Sequence, residues 1–205
     1  ANLISLLSSG QIAALSNDQI GSLTTNQLLR LNTIQINALS TNAIGNLSAD
    51  QSQAFSTAQI AVLTSAQLSA FAGDNLSLWN SAQLRVLSSN QIRSLNSDQL
   101  QALSSGQIGG LSTVQIAAFN TAQIAALEAE DISAFTSTQI AMLSSLQIMS
   151  LSLEQLASFS TLDIKALSTA QIRGLSSVAL NVMDTFQLSV LSSNQITGLT
   201  SSQLA

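Results

Sequence analysis

The sequence predicts an all-α solenoid, a superhelix of very short capped helices with one helix in each eight-residue repeat. Three observations predict it: an unbroken period of eight, a helix-start signature inside each period, and charges sorted along the unit in the order a helix dipole favours.

Glutamine carries the period. From Gln11 to Gln203 the spacing is eight without insertion or deletion, and 20 of those 25 positions are Gln, the others being Ala43, Asn75, Asp131, Asp163 and Ala179. The next residue is Ile or Leu except at Ser52. Three residues further on stands a large apolar side chain, Leu throughout except at Phe55, Phe71, Trp79, Phe119, Phe135, Phe159 and Met183. Ser, Thr, Asn or Asp follows it, save at Ala72 and Glu128. The consensus is Leu-Ser-Ser/Thr-x-Gln-Ile-x-x, and Leu3-Ile4 extends it toward the N-terminus. Self-similarity at a short fixed period marks a stacked repeat architecture. No linker interrupts it, so residues 1–205 are read as one continuous solenoid.

A continuous α-helix would turn through about 800° in eight residues, so any apolar column would drift by about 80° per repeat and leave the core. Each octad therefore needs a break, and the consensus supplies one. With Ser as N-cap, Gln falls at N3 and completes a capping box; the preceding Leu at N′ and the Ile at N4 form a hydrophobic staple. The charges play no part in setting this phase, and they agree with it. All ten acids fall at N-cap, N2 or N3, and all five bases (Arg30, Arg85, Arg93, Lys165 and Arg173) fall at N5 or N6, which is the order that favours a helix dipole. The rival is a β-solenoid whose coils are two octads long. Against it, the apolar residues are spaced alternately by three and five, which breaks the alternation a half-buried strand needs.

A helix this short is unstable alone, so each unit must bury its Leu and Ile columns against neighbours. Phe55, Phe71, Phe119 and Phe135 all fall in one of two alternating octad classes. That faint second period predicts a turn of two helices, one from each of two octads. The Gln column is expected to cap helices and to ladder between adjacent repeats.

The composition bounds the function. Only 7% of residues are charged, the net charge is −5, and there is no Cys, His, Pro or Tyr. Five scattered bases exclude a nucleic-acid partner, which needs clustered Lys and Arg. No apolar run approaches the roughly 18 residues of a membrane span, so no membrane insertion is expected. No basic-then-apolar leader opens the sequence, and a signal peptide is expected to be absent, removed or outside these residues. Catalysis commonly draws on His, Cys, paired carboxylates or an activated Lys; two of these are missing and Lys165 is the sole lysine. No catalytic, cofactor or metal site is predicted, and the protein is expected not to be an enzyme. Glu128, Glu130 and Asp131 form the one acidic cluster, which reads as dipole-favoured surface acids before it reads as a weak cation site. Arg85 with Arg93, and Lys165 with Arg173, are expected to stack as small basic spots. Gly106, Gly109 and Gly110 surround Gln107 without the Lys-Ser/Thr of a phosphate loop, and Trp79 takes a Leu position and reads as core.

Stretches such as Leu63-Thr64-Ser65-Ala66-Gln67-Leu68 and Leu167-Ser168-Thr169-Ala170-Gln171-Ile172 resemble the tandem octapeptide arrays of large secreted or surface proteins of Gram-negative bacteria. The resemblance implies export to the cell surface or beyond and an adhesin-like or spacer role. The helix start also resembles the first helix of TAL-effector repeats, but those repeats are longer and basic, and DNA binding is not carried over. The expected function is thus structural, a stiff stalk, spacer or self-assembling filament segment, with flanking repeats or further copies of itself as partners. The array begins and ends mid-pattern at Ala1 and Ala205, which fits either a longer array or end-to-end stacking. The alternative is a scaffold binding a peptide, a glycan or a surface, ice included, on one face, marked by the variable N5 and N6 positions.

Overall fold

The repeat folds as its helix-start signature dictates. In the computed structural model, which describes residues 3–204, twenty-five α-helices run from Ser9–Ala13 to Ser201–Leu204, one per octad, after a 3₁₀ turn at Leu3–Leu6. They are one to two turns long, as in Thr57–Ala61 or Ser89–Ser94. The N-cap residue is extended, with Ser56 at φ −71°, ψ 158°, and its Oγ accepts the N3 backbone N–H, Gln59 to Ser56 at 3.2 Å. The Gln Oε1 in turn accepts the N-cap N–H, Ser56 to Gln59 at 2.9 Å. This reciprocal pair fails where the sequence removes a partner, at Ala43, Ala72 and Ala179.

The large apolar residue of the repeat ends the helix. Leu95 turns extended, at φ −65°, ψ 130°, and Asn96 behind it is already the next N-cap. No described residue has positive φ, so these helices stop without the left-handed glycine that commonly closes a helix C-terminus.

The chain divides into two compact units, Ala1–Leu103 and Ser104–Ala205. Within each, helices three apart in the chain pack on one another, Ala49–Gln53 on Gly73–Ser77 in the first and Ser137–Met142 on Thr161–Ala166 in the second. One turn of either solenoid is therefore three helices, drawn from three successive octads, and the expected two-helix turn is corrected. Phe55 and Phe71, whose two-octad spacing suggested it, meet edge-on with centroids 5.6 Å apart. Their rings meet across the core instead of stacking along it. The Ile column is buried from Ile12 to Leu180, and the Leu/Phe column lines the core beside it at 7% exposure or less from Leu31 to Met183.

Between turns, the N5 residue of one helix and the N6 residue of a helix three away in the chain come together. A Cβ added at Gly109 would stand 2.5 Å from the Ala134 carbonyl oxygen, and one at Gly174 would stand 3.2 Å from Met149 Cγ. The fit of neighbouring turns thus constrains N5 and N6 at such contacts, while N5 side chains such as Arg85, Arg93, Lys165 and Arg173 remain exposed.

Candidate functional site

The one polar constellation that recurs through the described residues is built on the Gln column. Gln91, only 3% exposed, accepts the Ser88 N–H at 2.8 Å through Oε1. Its Nε2 donates to two carbonyls of the preceding turn, Ile60 and Leu63, each at 2.9 Å. Gln59 does the same to Leu28 and Leu31, Gln67 to Ile36 and Leu39, and Gln155 to Ile124 and Leu127. One planar amide thereby closes two helix ends at once. Its oxygen satisfies an open N–H at the start of its own helix, and its two N–H bonds reach two carbonyls at the end of a helix on the preceding turn, one of them, such as that of Ile60, also accepting a backbone N–H. Both kinds of group are left over at every helix terminus, and burying them unpaired costs about 1–3 kcal/mol each. The expected capping role holds, whereas the ladder runs from side chain to backbone instead of from Gln to Gln.

The exceptions in this column show what each half of the amide does. Asn75, one methylene shorter, donates to the Leu47 carbonyl at 3.0 Å, but among the described residues its side chain accepts no N-cap N–H; the other half of the box is absent because the N-cap is Ala72. Asp163 accepts the Ser160 N–H at 2.8 Å and its hydroxyl at 2.6 Å, yet a carboxylate has no N–H to donate. Only Gln has both the length and the two chemistries.

A family model described as the ALTTAQ repeat matches residues 80–113, 100–129, 108–137, 124–161 and 156–192, which together span more than half of the chain. The chain belongs to the ALTTAQ repeat family. Residues Ala166 to Gln171 read Ala-Leu-Ser-Thr-Ala-Gln, so the ALTTAQ hexapeptide covers the junction between two helices: the end of one, the N-cap of the next, and the clamping Gln at its N3. No curated protein matches the chain.

The other candidate residues are placed apart by the ALTTAQ fold. Glu128 and Glu130 are not buried, whereas Asp131 is, its carboxylate accepting the Glu128 N–H at 3.0 Å; among the described residues no three acidic side chains are grouped to hold a metal ion. Arg85 and Arg93 lie on consecutive helices, as do Lys165 and Arg173. Because neighbours along the stack are three octads apart, these pairs sit on different faces, and the expected stacked basic spots do not form. Gly109 ends one ordinary helix of the series and Gly110 is its C-cap, while Gly106 lies inside it. Trp79 is core, 1% exposed. Among the described residues no helix is long and apolar enough to cross a membrane.

Two groupings become visible only at the three-octad spacing. The N2 positions of the first unit place Asp50, Asp74 and Asp98 in one column. Those of the second place Val114, Thr138, Leu162 and Phe186 in one column, its three apolar members at 64%, 64% and 75% exposure.

Proposed function

We propose that this ALTTAQ repeat chain is a non-enzymatic spacer, a length of repeat array in a secreted or surface protein of adhesin-like type. The supporting observation is the fate of its most regular polar side chain: Gln amides such as those of Gln59, Gln91 and Gln155 are buried and fully engaged in joining one turn to the next. A residue type that recurs once per octad is thus occupied by holding the stack together. The extracellular setting rests on the resemblance to exported octapeptide arrays, and protease treatment of intact bacterial cells producing the protein tests it directly.

Further repeats fit the same chemistry. Gln11, Gln19 and Gln27 accept their own N-cap N–H groups, but among the described residues their Nε2 groups reach no carbonyl. A flanking in-register turn, or a second copy stacked on this one, would supply those acceptors.

The spacer reading predicts that separation grows with the number of turns. Fluorophores at Ala122 and Ala170, both exposed N2 sites two turns apart in the second unit, bracket positions 137–160. Inserting one, two or three extra copies of that three-octad block should lengthen the separation by about 8–10 Å per copy, one helix-packing distance. Loss of helicity, or a separation that does not grow, contradicts the reading. The second reading, a binding scaffold, draws support from the exposed column of Val114, Leu162 and Phe186. It requires a peptide or glycan that the protein captures and that a Val114→Ser, Leu162→Ser, Phe186→Ser variant does not.

A further inference from the structure

Ala179 interrupts the Gln column in the second unit, and the space its missing side chain leaves has a defined chemistry. A cavity of about 130 Å³ lies there, lined by Ile148, Leu151, Leu156, Leu175, Ser176 and Ala179 among others. Ile148 and Leu151 stand to Ala179 as Ile60 and Leu63 stand to Gln91, and Ser176 stands to it as Ser88 does. These are the register positions whose carbonyls and N–H every intact clamp engages. On one side, Gln171 accepts the Ser168 N–H at 2.6 Å and donates to the Leu143 carbonyl at 2.6 Å; on the other, Gln187 accepts the Asp184 N–H at 2.8 Å and donates to the Phe159 carbonyl at 2.6 Å. At Ala179 the Ser176 hydroxyl still caps the helix, accepting the Ala179 N–H at 3.0 Å. Among the described residues, nothing donates to the Leu151 carbonyl and nothing accepts the Ser176 N–H. The Ile148 carbonyl accepts the Leu151 N–H at 3.3 Å and keeps a second lone pair, as the Ile60 carbonyl does beneath Gln91.

We propose that this cavity is a binding site for a primary carboxamide, the group whose place it holds. A carboxamide oxygen accepts from Ser176 N–H while its two N–H bonds are directed to the Leu151 and Ile148 carbonyls; the apolar walls of Leu156 and Leu175 receive a short alkyl stem. A carboxylate presents lone pairs to both carbonyls and is rejected, and a secondary amide can satisfy only one of them. Met149 and Leu153, 56% and 43% exposed, also line the cavity and give it an open rim. Access from solvent is therefore direct. The ligand is a small free amide or the side chain of a Gln or Asn on a partner chain.

The test is a titration of the ¹⁵N-labelled full chain with propionamide, propionate and N-methylpropionamide, followed at the Ser176 amide. Propionamide should move that resonance downfield and saturate in the millimolar range expected of so small a ligand. N-methylpropionamide should bind about tenfold more weakly for its lost hydrogen bond, and propionate should not bind. The Ala179→Gln variant should abolish the propionamide response and raise the melting midpoint, and Ala179→Leu should abolish the response by filling the space alone. A tripeptide Gly-Gln-Gly separates the sources: saturation at Ser176 assigns the site to protein side chains as well, and silence confines it to small free amides. Equal responses to propionamide and propionate, or a propionamide response that survives in both Ala179 variants, overturns the proposal.

Discussion

The indole N–H of Trp79 donates a hydrogen bond of 2.9 Å to the backbone carbonyl of Ser52, joining the largest departure in the Leu column to the only polar departure in the Ile column. Trp79 also meets Phe71 edge-on, with centroids 5.2 Å apart. The two departures compensate: a serine where the repeat has isoleucine makes room in the core, and an indole one turn later brings bulk to it. The adjustment is incomplete, because the Ser52 hydroxyl is buried with no hydrogen-bond partner.

Ser52→Ala should therefore stabilise the protein by about 1 kcal/mol, since an unsatisfied buried hydroxyl is removed. Ser52→Ile alone should destabilise by about 1–3 kcal/mol through overpacking against Trp79. In the double variant Ser52→Ile, Trp79→Leu, the repeat consensus is restored and much of that loss should return. Urea melts of the parent, both single variants and the double variant check this; additivity of the two substitutions within about 0.5 kcal/mol would show that the sites are not coupled.

The Gln clamp separates into its two halves by mutation. Gln91→Met removes the buried amide with its bonds to Ser88, Ile60 and Leu63, and should cost about 2–4 kcal/mol. Gln91→Asn should cost less and, by the precedent of Asn75, should keep the link to the Leu63 carbonyl while freeing the Ser88 N–H. Native-state hydrogen exchange reads the shared loss, with the Ser88 amide exchanging faster in both variants, and urea melts read the difference, with the lower midpoint in Gln91→Met.

At Asp163 the gain runs the other way. The carboxylate caps Ser160 and is 8% exposed, but it donates nothing to the preceding turn. Asp163→Gln should raise stability by about 1 kcal/mol through the restored donors, measured as a higher urea midpoint with an unchanged slope.

The capping phase is tested on adjacent hydroxyls. Ser56 is the N-cap of Thr57–Ala61 and Thr57, exposed, is its first residue. Ser56→Ala should cost about 1 kcal/mol, and Thr57→Ala should stay within about 0.5 kcal/mol. Equal losses would place the helix start elsewhere.

The local structure was legible in the sequence. Ser-x-x-Gln placed the N-cap and N3 of each helix because the capping box is made by residues three apart, and Leu-then-Ser marked where each helix stops. The closure of the turn was not legible. A period of eight is satisfied by any whole number of octads per turn, and the two-octad recurrence of Phe55 and Phe71 arises from rings meeting across the core. The partners of the Gln Nε2 groups stand on the preceding turn and are backbone carbonyls, which leave no mark on residue identity. The cavity at Ala179 and the pairing of Ser52 with Trp79 were present as exceptions, but their meaning depends on the three-octad turn.

That turn is the central claim, and spin labels within the first unit test it most directly. Ala58, Ala66 and Ala82 are exposed N2 residues of three helices there, and the chain has no cysteine to interfere with labelling. With three helices per turn, Ala58 and Ala82, three octads apart, stack on one face at about one helix-packing distance of 8–10 Å. Ala66 and Ala82, two octads apart, lie on different faces. Continuous-wave EPR should show strong dipolar broadening for the 58/82 pair and clearly weaker broadening for the 66/82 pair. The reverse order would mean a two-helix turn and would contradict the clamps of Gln59, Gln67 and Gln91.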